Sequence, residues 1–440
     1  DLSIGANIAS AGTLLSNQNL TSRGLMLFGA GFIVTTAEAE NLTLIREYRN
    51  GKDLTERPRG VMVIDAFGLT AEQLREQHPA AYQWLLERVK PERDQNRDKG
   101  IRDNWWLHGR PRPELRSYLR GLTRYIATVE TAKHRLFQFL DAAIAPDNKL
   151  IAIALGDATA LGVLSSRVHV LWALASGSHL GVGNDPVYVK TRCFEPFPFP
   201  ADTPAPAARI RALAEQIDAH RKRQQAQHAS LTLTGLYNVL EKLRGGAALN
   251  PKEKTIHEQG LVGVLASLHD ELDAAVLDAY GWADLAPALV GKPGGSLPLA
   301  QADAAQAAAQ AELLNRLVAL NAERAAEEAR GQVRWLRPEF QHPQATAQVT
   351  QQIEADLAHD SALTLSPKER AKKTPWPAEL PAQIRALADL ISASTVPLTE
   401  AAIAAQFTGK GPWKKRLPQL LDTLLALGRV RATASGYAGA

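Results

Sequence analysis

The side chains of this 440-residue chain with the most evident chemical potential are cationic. Between Arg88 and Arg135 there are 13 Lys or Arg against 6 Asp or Glu, a local excess of +7, interleaved with Trp105, Trp106, Tyr118 and Tyr125. Positive charge at that density among aromatic rings suits a groove that follows a phosphate backbone. The competing reading of any lone charge run is a solvated helix face. Elsewhere the charges nearly balance: residues 201–440 hold 26 basic and 25 acidic side chains, and residues 1–200 hold 24 and 21. The formal charge of +4 therefore says less than its distribution.

Several fragments imitate catalytic signatures without completing them. Gly29-Ala30-Gly31 resembles the start of a cofactor-binding glycine loop but lacks the third glycine and the acidic residue that closes the next strand. His257-Glu258 begins like a zinc-protease helix, yet position 261 is Leu where a second histidine ligand is needed. Ser165-Ser166-Arg167 is no nucleophile elbow. Asn184-Asp185-Pro186-Val187-Tyr188 has the outline of the Asn-Pro-Pro-Tyr loop that holds an adenine amino group, but only one of its two prolines. No catalytic, metal-binding or cofactor-binding residue is assigned in this chain.

Composition bounds the setting of these residues. At 45% hydrophobic and 22% charged the chain is globular, and its length suggests two to four domains. The single cysteine, Cys193, excludes a disulfide framework and a cysteine zinc site, and fits a reducing, cytoplasmic compartment. No run of about 18 apolar residues marks a membrane span. The start, Asp1-Leu2-Ser3-Ile4-Gly5, has neither an initiator methionine nor a leader pattern, and reads as the cut end of a longer polypeptide with its catalytic parts upstream.

The elements that must position the cations form an α+β pattern. Residues 25–34 and 60–67 are short apolar runs that read as buried strands, as do Tyr125–Val129 and Leu150–Leu155. Thr70–Val89 and Leu161–Ala175 carry helical spacing. The segment Phe194-Glu195-Pro196-Phe197-Pro198-Phe199-Pro200 closes this block, because three prolines forbid helix and central strand. Trp172, Phe194, Phe197 and Phe199 are expected in the core, and His169 with them or at a contact surface. Residues 201–345 read as a helical section with segments at Ile210–Lys222, Leu233–Leu243, Leu261–Tyr280 and Leu313–Arg330. Gly291–Ser296 reads as a loop and residues 301–311 as a weakly specified helix. Residues 346–377, including Lys368–Lys373, read as a linker. Residues 378–440 follow the order helix, short helix, glycine turn, long helix, wing, which predicts a winged-helix-like domain. Lys410, Lys414, Lys415 and Arg416 then stand at the start of its recognition helix.

The order of motifs in residues 1–200 carries a resemblance. Tyr48-Arg49-Asn50-Gly51-Lys52-Asp53-Leu54 leads to Arg57-Pro58-Arg59-Gly60, then Val89-Lys90-Pro91-Glu92-Arg93-Asp94-Gln95-Asn96-Arg97 precedes Trp105-Trp106. Arg124-Tyr125-Ile126, Leu164–Trp172, Tyr188-Val189-Lys190-Thr191-Arg192 and Phe197-Pro198-Phe199-Pro200 follow. This order resembles the target-recognition half of MmeI-like (type IIG/IIL) single-chain restriction–modification enzymes, which are S-adenosylmethionine-dependent adenine-N6 DNA methyltransferases. The resemblance implies a DNA target-recognition domain over residues 1–200 and a helical section after it. It also implies double-stranded DNA as partner, and a methyltransferase core upstream in the same polypeptide or on a separate subunit. S-adenosylmethionine would belong to that core, with no cofactor in this chain.

An enzyme that acts on adenine must extrude the base and hold the distorted duplex by its backbone. Arg49, Lys52, Arg57, Arg59, Arg93, Arg97 and Arg102 are candidate phosphate contacts, as are Arg167, Lys190 and Arg192, for which a structural role competes. Glu130, Lys133, His134, Arg135, Gln138 and Asn148 are candidates for base readout, because Arg and Lys suit guanine, Gln and Asn suit adenine, and Glu suits cytosine. For any single residue a surface or salt-bridging role is the alternative. The rival to a fragment of a methyltransferase is a non-catalytic DNA-binding specificity subunit that docks on a separate methyltransferase or nuclease. A transcriptional regulator using the winged tail is a third reading.

Overall fold

The computed structural model describes residues 7–180, 185–299, 301–343, 374–377, 380–392, 394, 397–408, 413–426, 430–433 and 436–439. The chain divides into two compact units, Asp1–Ala347 and Gln348–Ala440. It is mixed α and β, as its pattern of apolar runs implies.

Two four-stranded sheets organise the first unit. Strands β1 (Thr21–Arg23), β2 (Ile33–Val34), β3 (Ile45–Arg49) and β4 (Met62–Ile64) precede β5 (Arg124–Val129), β6 (Gln138–Asp141), β7 (Ala145–Pro146) and β8 (Leu150–Ile153). One sheet runs β1-β8-β5-β6 and is antiparallel throughout, with Ile126 opposite Ile153 and Ala127 opposite Ala152. The other runs β2-β4-β3-β7, its β3–β7 pair parallel. The turn Asp147–Lys149 passes the chain from β7 in one sheet to β8 in the other.

Successive strand residues point to opposite faces, and both faces of the first sheet are covered. Ile126, Ile151 and Ile153 pack with Leu161, Leu164 and Phe194, while Tyr125, Ala127, Leu150 and Ala152 pack with Leu54 and Leu115. Burial on both sides explains why β5 and β8 read as unbroken apolar runs.

Elsewhere local sterics divided what periodicity suggested was continuous. Residues 25–34 are not one strand, because Phe28 and Gly29 adopt positive φ and Ala30–Phe32 turn as a 3-10 helix. Thr70–Val89 is two helices, Ala71–Gln77 and Pro79–Arg88, since His78 precedes a proline and leaves the helical region. Leu161–Ala175 likewise belongs to two helices, Ala158–Ser165 and Arg167–Ser176, bent by 61° around Ser166. Residues 304–311 are an integral part of one long helix, Ala304–Ala329, capped by Asp303. No single helix among the described residues is long and apolar enough to cross a membrane.

A shared core runs through Pro200. Val163, Trp172 and Phe197 bury against Ile210, Leu236, Leu272 and Leu313 from helices Pro204–Gln227, Leu233–Arg244, Val262–Ala279 and Ala304–Ala329. The proline-rich segment contributes carbonyls that no regular element can satisfy, and side chains do so instead. Asn17 Nδ2 donates to Phe194 O (3.0 Å), Glu195 O (3.2 Å) and Phe197 O (2.7 Å), Asn321 Nδ2 to Pro196 O (2.6 Å), and Tyr280 Oη to Pro198 O (2.7 Å). Phe194 and Phe197 are fully buried, and Phe197 meets His169 edge-on at 4.4 Å.

In the second unit, helices Leu380–Ser392, Glu400–Ala405 and Trp413–Ala426 enclose Leu387, Ile403, Phe407, Trp413 and Leu421. Val430–Thr433 pairs antiparallel with Gly436–Gly439, and Thr374–Pro375 pairs in parallel with Phe407–Thr408. Most of the expected linker, with Lys368–Lys373, lies outside the described residues, as do Lys410 and the side chain of Lys415.

Candidate nucleic-acid interface

A cleft of about 510 Å³ opens where the two sheets meet. One wall is the helix Gly51–Thr55, which starts because Asn50 and Asp53 form a reciprocal capping box. Facing it are the end of β5 at Val129, the segment 131–136, and the turn Asp147–Lys149. Thr234 completes the lining from the helix Leu233–Arg244, and its Oγ1 donates to Thr55 O at 3.2 Å. Gly51 lies so close to Val129 that a Cβ there would sit 3.1 Å from Cγ1.

Three exposed lysines, Lys52, Lys133 and Lys149, stand on this lining. Lys133 Nζ donates to the neutral Asn238 amide oxygen at 2.6 Å and so keeps its charge unopposed. Lys149 approaches Glu130 at 3.5 Å, but Arg23 also pairs with that carboxylate, which is 7% exposed. With Arg23 and Glu130 cancelling, three lysines against Asp147 leave the cleft a net charge of +2. Asp147 accepts a 2.5 Å bond from Tyr48 Oη, and burial followed by this bond raises the tyrosine pKa, so the phenol stays protonated. Asn148 lies half-buried in the same turn, its amide nitrogen best placed 3.1 Å from Asp147 Oδ1.

On the other side of Gly51–Thr55 lies a second cleft of about 360 Å³, lined by Arg49, Arg57, Gln138 and Lys222. Its cations are more engaged. Arg49 pairs with Glu47, Lys222 with Asp218 at 2.6 Å, and Arg57 Nη1 donates to His228 O at 3.4 Å. Gln138 Nε2 donates to Leu54 O at 3.2 Å. Arg59 grips Asp53 through Nε (2.9 Å) and Nη2 (2.8 Å). Burial pushes the Asp53 carboxyl up, but bonds from Arg59 and Asn50 outweigh it and hold the group below its usual range.

Four candidates prove to be internal. Arg93 is 1% exposed and donates to Leu27 O (2.6 Å) and Leu107 O (3.1 Å). Arg135 is 2% exposed and binds Thr128 Oγ1 (3.1 Å), Val129 O and Pro186 O (2.9 Å), with burial pushing its pKa down to about 10. Arg167 is 1% exposed, faces Asp273 at 3.6 Å and donates to Pro293 O (3.1 Å) and Lys292 O. His134 is buried between Ser296 Oγ and Asn238 Oδ1, each 2.9 Å away, and burial lowers its pKa. None presents a face to an external phosphate or base. Glu130, also buried, is committed to Arg23 and Lys149.

The Arg88–Arg135 stripe is likewise largely absorbed. Arg116 makes two bonds to buried Asp65 (2.8 and 2.9 Å), Arg124 pairs with Glu215 at 2.5 Å, and Lys90 pairs with Asp94 at 2.6 Å. Arg102 Nη1 binds Asn96 O (2.5 Å) and Arg97 O (3.0 Å). Of the interleaved aromatics, Trp105 and Tyr125 are buried, and Trp106 Nε1 donates to Leu69 O at 2.9 Å. Arg97 is exposed but not on the cleft. Lys190 pairs with Glu195 at 2.8 Å, and Arg192 is exposed beside it. In the second unit Lys414 and Arg416 are exposed, and Lys414 Nζ lies 5.6 Å from the Trp413 ring centre.

The cofactor-like glycines have a packing explanation. A Cβ on Gly31 would lie 2.4 Å from Arg88 O, so this residue allows a helix end to approach rather than opening a cradle for a nucleoside. Asp185–Val187 form a strand with Ser178–Leu180, and Tyr188 is buried with its hydroxyl 3.0 Å from His169 Nε2. The Gly29–Gly31 turn therefore does not fit S-adenosylmethionine, while Asn184, the first residue of the adenine-loop look-alike, lies outside the described residues.

Sequence reasoning missed Lys149, Asn238, Ser296 and Glu241. Lys149 had a local signal, the turn-forming Pro-Asp-Asn-Lys, whereas Asn238 and Ser296 reach the cleft from helices and loops far along the chain. Glu241 accepts from Gly294 N (2.7 Å), Ser296 N (2.9 Å) and Ser296 Oγ (2.9 Å), which fixes the loop against His134.

The fold and site together define an α+β domain with a basic cleft at a sheet junction, backed by a layer of helices. A solved structure with a similar fold is that of the type IIL restriction–modification enzyme MmeI in complex with DNA. The likeness covers 71% of this chain and 36% of that one, with a TM-score of 0.50 and 15% sequence identity. The matched part of this chain thus spans about a third of that enzyme's length. No protein-family profile matches the chain, and no curated protein matches it by sequence.

Proposed function

We propose that this chain is the DNA-recognition part of an S-adenosylmethionine-dependent adenine-N6 DNA methyltransferase in a restriction–modification or phage-defence system. The cofactor and the chemistry belong to a methyltransferase core in the same polypeptide or on a separate subunit. The observation that carries this reading is the fold likeness to MmeI, which was solved with DNA, taken together with the cleft of net charge +2 in this chain.

In this role Lys52, Lys133 and Lys149 meet backbone phosphates and set register, which is the work of sequence-independent contacts. Asn148, in the turn between Asp147 and Lys149, carries the paired donor and acceptor that suit adenine N6 and N7. The hydrogen-bonded Glu241–Ser296–His134–Asn238 chain holds the segment that carries Lys133. We read the second unit as a winged-helix module accessory to this contact.

Fluorescence anisotropy of a labelled duplex tests the DNA contact. Release of counterions from three phosphates gives a log–log salt slope near −2.7, or about fortyfold weaker binding between 50 and 200 mM salt. Absence of duplex binding at 50 mM salt overturns the reading. Methylation mapping in a host carrying the full-length gene tests the chemistry, with N6-methyladenine at one position of one motif as the expected result.

A further inference from the structure

Five large apolar side chains are exposed among the described residues: Leu15, Phe28, Phe67, Leu261 and Val264. Phe28 stands out because it is 43% exposed and also has φ of +51°. A left-handed backbone is unfavourable for a bulky L residue, and such outliers persist only where neighbours over-determine them. Leu261 shares both traits, but it ends the helix Pro251–Gly260, where a left-handed residue is the ordinary way to stop. Phe28 ends no helix.

Its conformation is imposed from both sides. Leu27 O accepts from Arg93 Nη2 (2.6 Å) and Gly109 N (3.1 Å), and Met26 and Arg110 exchange backbone bonds of 3.1 and 2.9 Å. Beyond it, Gly31 O accepts from Trp84 Nε1 at 2.9 Å. The ring between these anchors leans on Gly109, where an added Cβ would lie 1.9 Å from Phe28 Cδ2. The inner edge of the ring is therefore seated on backbone while the rest meets solvent.

The surroundings suit a nucleic acid. Arg110 is exposed on the extended segment that seats the ring, and Glu92 Oε2 would lie 3.4 Å from a Cβ on the neighbouring Gly29. On the helix Pro113–Tyr118 that follows, Arg116 Nε donates to Pro111 O at 2.9 Å, and its guanidinium lies 4.3 Å from the centre of the Phe67 ring, which is 40% exposed. Phe28 is five residues from Arg23, which pairs with Glu130 at the cleft, so the two are separated by at most about 17 Å of extended chain. That upper bound is within about five rises of the DNA helix at 3.4 Å each, a span that one duplex covers.

We propose that Phe28 is a wedge that enters the base stack of duplex DNA held at the lysine cleft, an inference that rests on the DNA-binding reading above. Apolar side chains inserted between base steps unstack and kink the duplex, and an aromatic ring tolerates any neighbouring base. A rigid, presented ring serves this better than a mobile one, which gives the unfavourable φ a purpose.

The test uses the whole chain and two short duplexes identical except for a central abasic site in one. Because the abasic site already provides the gap, the unmodified chain is expected to bind that duplex about tenfold more tightly, in line with the unstacking it is spared. Phe28→Ala is expected to lose the preference, and Phe28→Trp to restore it. Phe28→Gly relieves the left-handed backbone, so its thermal midpoint should rise while the preference is lost, which guards against a folding artefact. Equal binding of both duplexes by the unmodified chain, or a preference retained in Phe28→Ala, overturns the wedge, as does a surface here that serves a protein contact. Failure of the unmodified chain to bind either duplex overturns the DNA reading itself.

Discussion

Four arginines and three lysines of the first unit have opposite fates. Arg93, Arg135, Arg167 and Arg221 are almost fully buried and each donates to backbone carbonyls, whereas Lys52, Lys133 and Lys149 stand exposed around one cleft. The planar, weakly hydrated guanidinium offers five fixed donors and can replace water by several carbonyls at once. The ammonium is compact and strongly hydrated, and stays at the surface. A dense basic stretch in a sequence is therefore not a basic surface. Much of the +7 of Arg88–Arg135 is spread over bonds within the protein, and the cleft draws its positive charge from three lysines of separate segments, of which only Lys133 belongs to that stretch.

The comparison breaks most visibly if an internal arginine is removed. Arg167→Ala leaves Asp273, whose pKa burial already raises, without its counter-charge at 3.6 Å and frees the Pro293 and Lys292 carbonyls. Loss of one member of a buried pair destabilises by about 3–5 kcal/mol, so the urea midpoint of the first unit should collapse. An unchanged midpoint would show that these arginines do not hold the fold.

Asp65 gives a smaller effect of defined sign. Burial alone would raise its pKa, but bonds from Arg116 and the charges of His108 and Arg46 bring it to about 2, against 3.8 for a free carboxyl. A folded pKa below the unfolded one adds stability that is fully present above about pH 4 and is lost as the pH falls through 2. Nearly two pKa units correspond to about 2 kcal/mol. Asp65→Asn should therefore lower the unfolding free energy by about that amount at pH 7 and make no difference near pH 2. Equal destabilisation at both pH values would mean that the ion pairs are not its source.

Much of the fold was legible because its signals are local. The apolar runs of β5 and β8, the spacing of Leu233–Arg244 and the proline-rich stop at Pro200 each declare their element within a few residues. What failed were continuities interrupted by one residue: His78 before Pro79, Ser166 between two helices, and the left-handed Phe28. The site was less legible than the fold. Lys52, Lys133 and Asn148 do cluster at the sheet junction, yet His134 and Arg135, next in sequence to Lys133, turn inward. Their direction is set by Asn238 and Ser296, 104 and 162 residues from His134, and by Pro186, 51 residues from Arg135. Residue type suggested readers of bases; long-range partners made them supports.

The most direct test sets the two regions against each other with equal loss of charge. One variant replaces Lys52, Lys133 and Lys149 with alanine, and the other replaces Arg97, Lys99 and Arg120, exposed members of the basic stripe. The salt slope of duplex binding is measured for both. The cleft variant should lose about three units of slope, one per phosphate contact, while the stripe variant keeps the slope of the unmodified chain. A slope lost with the stripe and kept without the cleft lysines would contradict the assignment of the DNA contact to the sheet junction.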